Sequence, residues 1–213
     1  EAGQVAGSGR YGYVFSNKDN LSAKAINRLQ KAGYTVSLLK ADDDNAKAGS
    51  VVVRSKRGLD DEVQKLSAEL GLDFTRLAKA PAAPMEELNR VKVGIYKSWQ
   101  ANMDEGWTRW MLEQFEFDLD ILHNEQIQSG NLSQYSALIF PSQSGRGIMQ
   151  GHSQGRMPEK FVGGIGEEGV KAIDTYAKSG GTIIFFDASS DFAIEQFKLP
   201  VKNVLSGLKD TEF

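Results

Sequence analysis

Residues 96–117 read YKSWQANMDEGWTRWMLEQFEF and continue directly from the apolar run Val93-Gly94-Ile95. The order is a strand, a polar turn and an amphipathic helix, which is the repeating unit of a doubly wound α/β sheet. The stretch also holds all three tryptophans of the chain, Trp99, Trp107 and Trp110. It therefore predicts one strand of a parallel sheet whose carboxyl end faces a candidate ligand site.

The same alternation extends through the rest of the second half. Further strands are predicted at residues 117–122, 137–141 and 182–186, and helices at 104–115, 166–179 and 191–197, with one helical turn at 125–128. Strands that are apolar along most of their length are typical of parallel sheets covered on both faces. We expect an α/β domain over residues 89–213, with a parallel flavodoxin-like or amidotransferase-like sheet. Residues 142–165 contain six glycines without periodicity and are predicted to form a long loop.

The first half predicts a smaller N-terminal α/β lobe, a connecting region over residues 1–88. Its expected strands are 11–16, 34–39, 51–53 and 73–77, and its expected helices are 21–32 and 59–70. Residues 79–89 hold two of the five prolines and are predicted to be a linker.

Composition excludes several functions. The chain has no cysteine and only two histidines, His123 and His152, so it is not expected to hold a zinc site of its own. The first 90 residues carry 14 Lys/Arg and 12 Asp/Glu, and the remainder carries 11 and 16. Neither half has the basic surface of a nucleic-acid binder. No apolar run reaches the roughly 18 residues that a membrane span needs.

Polar side chains follow three of the predicted parallel strands, and the carboxyl ends of such strands meet at one edge of the sheet. A ligand site at this edge is one interpretation. The other is that strand-ending loops are polar in any case and that their Ser, Asp and Asn side chains cap the following helices. The candidate ligand-binding residues are Ser98, Trp99, Asn102, Ser142, Gln143, Ser144, Asp187 and Ser189.

The charged residues of the tryptophan helix admit a catalytic and a structural interpretation. Asp104 and Glu105 form an acid/base pair in the first, and an N-cap and a first-turn carboxylate in the second. The structural interpretation is preferred, with Arg109 pairing to Glu105 one turn away.

For the aromatic and histidine residues, the sequence predicts burial, exposure or mobility from their spacing and their neighbours. Trp107, Trp110, Met111 and Phe115 have helical spacing and are predicted to be core, whereas Trp99 is expected to be exposed. His152 lies between glycines beside Ser153, and is predicted to be mobile, without a fixed partner and without a catalytic role.

Three segments together resemble a known family. They are VGIYKSWQANMDEGWTRWMLEQFEF, ALIFPSQS, and GGIGEEGVKAIDTYAKSGGTIIFFDASSDFAIEQFKLPVKNVL. They resemble the C-terminal region of large bacterial proteins of the zinc metallocarboxypeptidase, or carboxypeptidase A-like, family. In those proteins a peptidase domain precedes a module similar to class I glutamine amidotransferases. The resemblance covers residues 91–205.

The resemblance implies that the chemistry lies outside this chain. The peptidase family binds zinc through an HxxE pair, but three residues after His123 and His152 stand Gln126 and Gly155. Amidotransferases place a nucleophilic cysteine where this chain has Asp187, and a carboxylate does not replace a thiolate in that reaction. The chain is thus expected to contain no catalytic residue and no cofactor, with zinc in a peptidase domain that it lacks.

The resulting expectation is a non-catalytic accessory region of a secreted or periplasmic hydrolase. It would pack on the peptidase domain of the same polypeptide or help position a peptide or glycan substrate. Two alternatives remain. One is a stand-alone peptide- or glycan-binding module, and the other is a residual hydrolase using Asp187 with Ser142 or Ser144.

Overall fold

The structure, a computed structural model, describes residues 2–44 and 46–208. The chain divides into two compact units. The first contains Glu1–Arg90 and Gln114–Phe117, and the second contains Val91–Glu113 and Asp118–Phe213. Within the described residues, no helix combines the length and the apolar character needed to cross a bilayer.

The first unit is a six-stranded mixed sheet with two helices. The strands are β1 (Val5–Gly7), β2 (Gly12–Phe15), β3 (Val36–Leu39), β4 (Val51–Arg54), β5 (Phe74–Leu77) and β6 (Met85–Glu87), and the helices are α1 (Leu21–Lys31) and α2 (Leu59–Leu70). The order is β1-β5-β2-β4-β3-β6, with β1 parallel to β5 and all other pairs antiparallel. The elements from β2 to β5 follow the βαββαβ order of the ferredoxin-like arrangement.

Both faces of this sheet are covered. The helices bury Leu29, Val63 and Leu66 against Val53 and Phe74 on one face. On the other face Val14, Leu39, Val52 and Leu77 form a smaller cluster, against which Ala83 packs. Alternate side chains of a strand point to opposite faces, so two clusters within one sheet are expected.

Two edge strands, β1 and β6, were not predicted from the sequence. β6 lies inside residues 79–89, the predicted linker, and pairs with β3 through its backbone while its three side chains remain exposed. A strand without a buried face has no alternation of apolar and polar residues, so the pattern could not mark it.

The second unit has a sheet of four parallel strands with helices around it. The strands are β7 (Lys92–Tyr96), β8 (Asp118–Leu122), β9 (Ala137–Phe140) and β10 (Thr182–Phe185), and the helices are α3 (Met103–Gln114), α4 (Asn124–Gln128), α5 (Gly145–Gln150), α6 (Gly166–Lys178) and α7 (Ala188–Phe197). The sheet order is β10-β9-β7-β8. This confirms the predicted α/β fold with a parallel sheet, and the order is that of the first four strands of a flavodoxin-like sheet.

The core of this sheet explains where the prediction of a long loop was wrong. Ile148 and Ile165, both within the glycine-rich segment, are fully buried with Phe140, Ile173 and Phe192. Ile148 belongs to α5, and a 3₁₀ turn over Glu159–Phe161 precedes Ile165. These helical pieces are too short to give a visible 3.6-residue period, so the sequence pattern did not indicate them.

Candidate functional site

The loops that follow β7 and β9 lie together, as the parallel topology predicts. Gln143 Nε2 donates to Ser98 Oγ at 2.9 Å and to Gln100 Oε1 at 3.2 Å. Asn102 Nδ2 donates to the Ser142 carbonyl oxygen at 3.0 Å. The connections after β7 and β9 run in opposite directions along the sheet, to β8 and to β10, and doubly wound sheets bind ligands at such a point.

Most of these polar groups are already used within the loops. Ser98 is only 3% exposed. Asn102 Oδ1 accepts from the N–H groups of Asp104 and Glu105, and Ser144 Oγ accepts from Gly147 N at 3.1 Å. The structural interpretation therefore accounts for four of the predicted ligand-binding residues, since they join the two loops or cap α3 and α5: Ser98, Gln143, Asn102 and Ser144.

Asp187 stands at the sharp turn between β10 and α7. Its backbone has φ 45° and ψ −120°, a conformation that residues with a side chain rarely adopt. A nucleophile elbow is a strained strand-to-helix turn of this kind. Asp187 stands at the position that the resemblance equates with a cysteine. Its backbone has the conformation of an elbow, but its side chain is a carboxylate.

Among the eight candidate residues, Asp187 and Ser142 form a pair at this edge that a ligand can reach. Ser142 Oγ donates to Asp187 Oδ2 at 2.8 Å, and Asp187 is exposed. Ser189, by contrast, is fully buried and donates to the carbonyl oxygens of Phe140 and Phe186. The eight predicted residues therefore reduce to Asp187 and Ser142 as an accessible hydrogen-bonding pair.

Trp99 is enclosed, contrary to the expectation that it would be exposed. Its ring stacks on His123 with centroids 3.8 Å apart and meets Phe161 edge-on at 4.8 Å. Its Nε1 is buried without a hydrogen-bond partner among the described residues. Trp99 ties the loop after β7 to the glycine-rich segment instead of presenting a platform.

Both histidines have fixed partners, which the sequence did not predict for His152. His123 Nδ1 lies 2.7 Å from the Lys97 carbonyl oxygen, and His152 Nε2 lies 3.2 Å from that of Trp99. No hydrogen bond joins either ring to Ser142 or Asp187 in the part of the chain that the structure describes. A nucleophile paired with a base is therefore not seen at this edge.

The first turn of α3 carries structural charges. The predicted cap at Asp104 is wrong, because the helix begins at Met103 and Asn102 supplies the capping oxygen. The predicted ion pair is confirmed, with Arg109 Nε 2.9 Å from Glu105 Oε1. Glu105 is 3% exposed and is also 3.6 Å from Lys97 Nζ, so its charge is balanced.

The opposite face of α3 is the largest departure from the prediction. Met103, Trp107, Trp110 and Met111 were expected in part to be core, but they are 75%, 62%, 54% and 46% exposed. The two indoles meet edge to face with centroids 5.9 Å apart. With Gly106, Arg109 and Glu113 they line an open groove of about 500 Å³. We call Met103, Trp107, Trp110 and Met111 the aromatic face.

The sequence of α3 places apolar residues on two sides of the helix but does not say which side is covered. The residues that α3 buries are Glu105 and Leu112, seven positions apart. Trp107, Trp110 and Met111 fall on the other side of the same helix, and Gly106 beside them is a poor choice for a core contact. Leu112 and the aromatic face thus lie on opposite sides of α3, and the side with more apolar residues is the exposed one.

No metal-binding group is found in the described residues, where three or more His, Cys, Asp or Glu side chains nowhere converge. Neither a family model nor a curated protein matches the chain.

Proposed function

We propose that this chain is a non-catalytic accessory region of a zinc metallocarboxypeptidase-like protein, and that it packs on the peptidase domain through the aromatic face. The zinc and the catalytic groups would belong to that domain, in a secreted or periplasmic protein. The family assignment rests on the sequence resemblance over residues 91–205. The packing role rests on the exposure of Trp107 and Trp110.

The aromatic face supports packing because of its size and composition. A Trp side chain can bury about 150–250 Å². Two half-exposed tryptophans and two exposed methionines therefore present an apolar patch of several hundred Å², which marks an interaction site. Trp, Met and Arg are also the residue types enriched at the centres of protein interfaces.

The geometry around Asp187 supports the non-catalytic part of the proposal. The elbow conformation would hold a nucleophile clear of the sheet, but the residue there is a carboxylate whose described contact is a serine hydroxyl. A carboxylate without a paired base is a poor nucleophile toward an amide. The same exposed pair is suited to accept an N–H or ammonium donor from a peptide.

The reading frame that encodes the chain provides the most direct test of the family assignment. We expect an HxxE motif and a later histidine upstream of Glu1, behind a signal peptide. Absence of that motif from the complete reading frame would contradict the proposal.

The packing role has its own test by tryptophan fluorescence. In the isolated chain, the Trp99→Phe variant leaves only Trp107 and Trp110 to emit, and we expect emission typical of water-exposed indoles. In the whole polypeptide their emission is obtained as the difference between the Trp99→Phe variant and the variant in which Trp107 and Trp110 are also replaced by Phe. That difference should lie at shorter wavelength and resist acrylamide. Equal emission and quenching in both forms would contradict packing through the aromatic face.

A second candidate function is peptide or glycan capture at Asp187 and Ser142, which the exposed hydrogen-bonded pair favours. Binding of peptides and oligosaccharides to the isolated chain, measured by calorimetry, should then weaken in Asp187→Asn. If Asp187→Ala instead abolished a hydrolytic activity of the folded chain, the residual-hydrolase alternative would replace both.

A further inference from the structure

The two edges of the parallel sheet differ in how they are protected. β8, at one edge, contains two aspartates, and its Asp120 is tied to Lys92 at 2.8 Å and to the Tyr135 hydroxyl at 3.0 Å. Charges on an edge strand prevent pairing with another chain. β10, at the other edge, carries neither charge nor proline from Thr182 to Phe186.

β10 also has the composition of an internal strand. Within the described residues it pairs only with β9, in regular register from Thr182 opposite Ala137 to Phe185 opposite Phe140. Ile183 and Phe185 pack into the core, whereas Ile184 and Phe186 on the alternate face are 37% and 40% exposed. A strand that is apolar on both faces is normally flanked by strands on both sides.

We propose that the β10 edge is a self-association surface that takes the β10 edge of a second copy of this chain. A two-fold axis perpendicular to the sheet makes the two strands antiparallel and joins the two four-stranded sheets into one. Isologous pairing of this kind closes at a dimer. In a register centred on Ile184, the two Ile184 side chains lie opposite each other on the same face.

Charge complementarity favours the second copy in this orientation. Antiparallel pairing brings Asp187, just after β10, toward the partner's end of the strand, where α6 closes with Lys178. Lys178 is 75% exposed, and its ion pair among the described residues is with Asp174 on the same helix. Each interface therefore contains two symmetric pairings of opposite charge, whereas a parallel arrangement of the two edges would place like charges together.

Sedimentation of the 213-residue chain over the micromolar range tests the inference. We expect a dimer for the native sequence and a dissociation constant raised about tenfold or more in Ile184→Lys, because the two introduced lysines face each other across the axis. Ile121→Lys is the matched control, since Ile121 is 41% exposed on the opposite edge strand. That variant should dimerise like the native chain.

Ile184→Thr keeps the β-branched shape and covers the case in which Ile184→Lys fails to fold. It should weaken the dimer as well, and amide exchange of residues 182–186 should slow as the native chain is concentrated. A native chain that stays monomeric overturns the inference. A dimer that survives Ile184→Lys but is lost in Trp107→Ala overturns it too, and assigns self-association to the aromatic face.

Discussion

At the scale of single residues, Asp187 has the clearest energetic signature. Positive φ values are costly for any residue with a Cβ, and the cost at one strained position is about 1–3 kcal/mol. Asp187 is one of three non-glycine residues with positive φ among those described, with Glu116 and Lys198. Its side chain also contacts Ser142, so backbone and side-chain effects must be separated.

A pair of substitutions separates them. Asp187→Ala and Asp187→Gly both remove the contact with Ser142, but only glycine adopts φ 45° without strain. We expect the glycine variant to be more stable than the alanine variant by about 1–3 kcal/mol in urea unfolding. Equal midpoints for the two variants would show that the turn relaxes and stores no strain.

A buried tyrosine gives a second prediction at this scale. Tyr96 donates from its hydroxyl to Asn124 Oδ1 at 2.8 Å, and Asn124 Nδ2 donates to the Gly163 carbonyl oxygen. Burial raises the pKa of the Tyr96 hydroxyl, so it is neutral and a donor at physiological pH. Tyr96→Phe leaves the Asn124 oxygen buried and unpaired, which should lower the free energy of unfolding by about 1–3 kcal/mol.

The control for this substitution is Tyr34→Phe. Among the described residues, the hydrogen bond of the Tyr34 hydroxyl is a long, exposed one to the Arg57 carbonyl oxygen at 3.5 Å. Its loss should change stability by less than about 0.5 kcal/mol. A Tyr96→Phe variant as stable as this control would mean that Asn124 finds another partner.

At the scale of elements, replacing a helical glycine by alanine should have opposite effects on stability in α3 and in α5. Gly106 lies in α3 beside the groove, and an added Cβ meets no atom within 4 Å. Gly147 lies in α5, where an added Cβ falls 2.7 Å from Gln100 Oε1 and 2.8 Å from Gln143 Nε2. The methyl group added by a Gly→Ala change therefore has room at position 106 in α3, whereas at position 147 in α5 it collides with two side-chain amides.

We expect Gly106→Ala to raise the free energy of unfolding by about 0.5–1 kcal/mol, the difference in helix propensity between the two residues. Gly147→Ala should give no gain, because displacing the two amides breaks the hydrogen bonds that join the loops after β7 and β9. Thermal unfolding of both variants checks the pair. A comparable rise in Tm for Gly147→Ala would show that those loops are readily moved.

The elements also show what the sequence could and could not predict. The strands and long helices of the second unit were predictable because their cores need apolar residues at fixed periods. The accessibility of α3 was not, since Trp107 and Trp110 have the spacing of core residues, and periodicity alone does not say which apolar stripe is covered. The predicted exposure of Trp99 was wrong for the opposite reason, because His123 and Phe161, which enclose its ring, are distant in sequence.

For the candidate site, too, the sequence predicted which loops meet but not which side chains remain available to a ligand. The meeting of the loops after β7 and β9 follows from strand order alone, so Ser98, Gln143 and Ser142 could be predicted to lie together. Which side chains stay available depends on individual hydrogen bonds, such as those that commit Ser189 to backbone oxygens. The conformation of Asp187 had no sequence signal beyond its place between a strand and a helix.

At the scale of the whole molecule, acid stability depends on carboxylates held by partners within each unit. In the first unit Glu116 receives two hydrogen bonds from Arg28, at 2.6 and 3.2 Å. Both side chains are about one quarter exposed. The Arg28 guanidinium holds the pKa of the Glu116 carboxyl below its ordinary value of 4.5.

The sign of the pH dependence follows from that direction. A carboxylate whose pKa is lowered by folding stabilises the fold above its unfolded pKa and loses that contribution as the pH falls through the folded pKa. Glu116→Gln should cost about 1 kcal/mol at pH 7, with the difference from the native chain vanishing as the pH is lowered below 4.5.

Far-UV circular dichroism in urea at several pH values checks this prediction. Glu86→Gln is the control, because the Lys40–Glu86 pair is more than half exposed on both sides and contributes little. A difference for Glu116→Gln that is equal at pH 7 and pH 3 would rule out the charged pair as its cause.

The position of the tryptophans has a consequence for how this molecule can be observed. All three indoles belong to the second unit, one enclosed between His123 and Phe161 and two facing water. Native protein should therefore contain two optically distinct populations, one reached by a quencher and one shielded from it. Unfolding of the second unit should expose all three indoles to the quencher equally. Unfolding of the first unit exposes no indole, because that unit contains no tryptophan. Intrinsic tryptophan fluorescence therefore reports on the unfolding of the second unit alone, and unfolding of the first unit has to be followed by another signal.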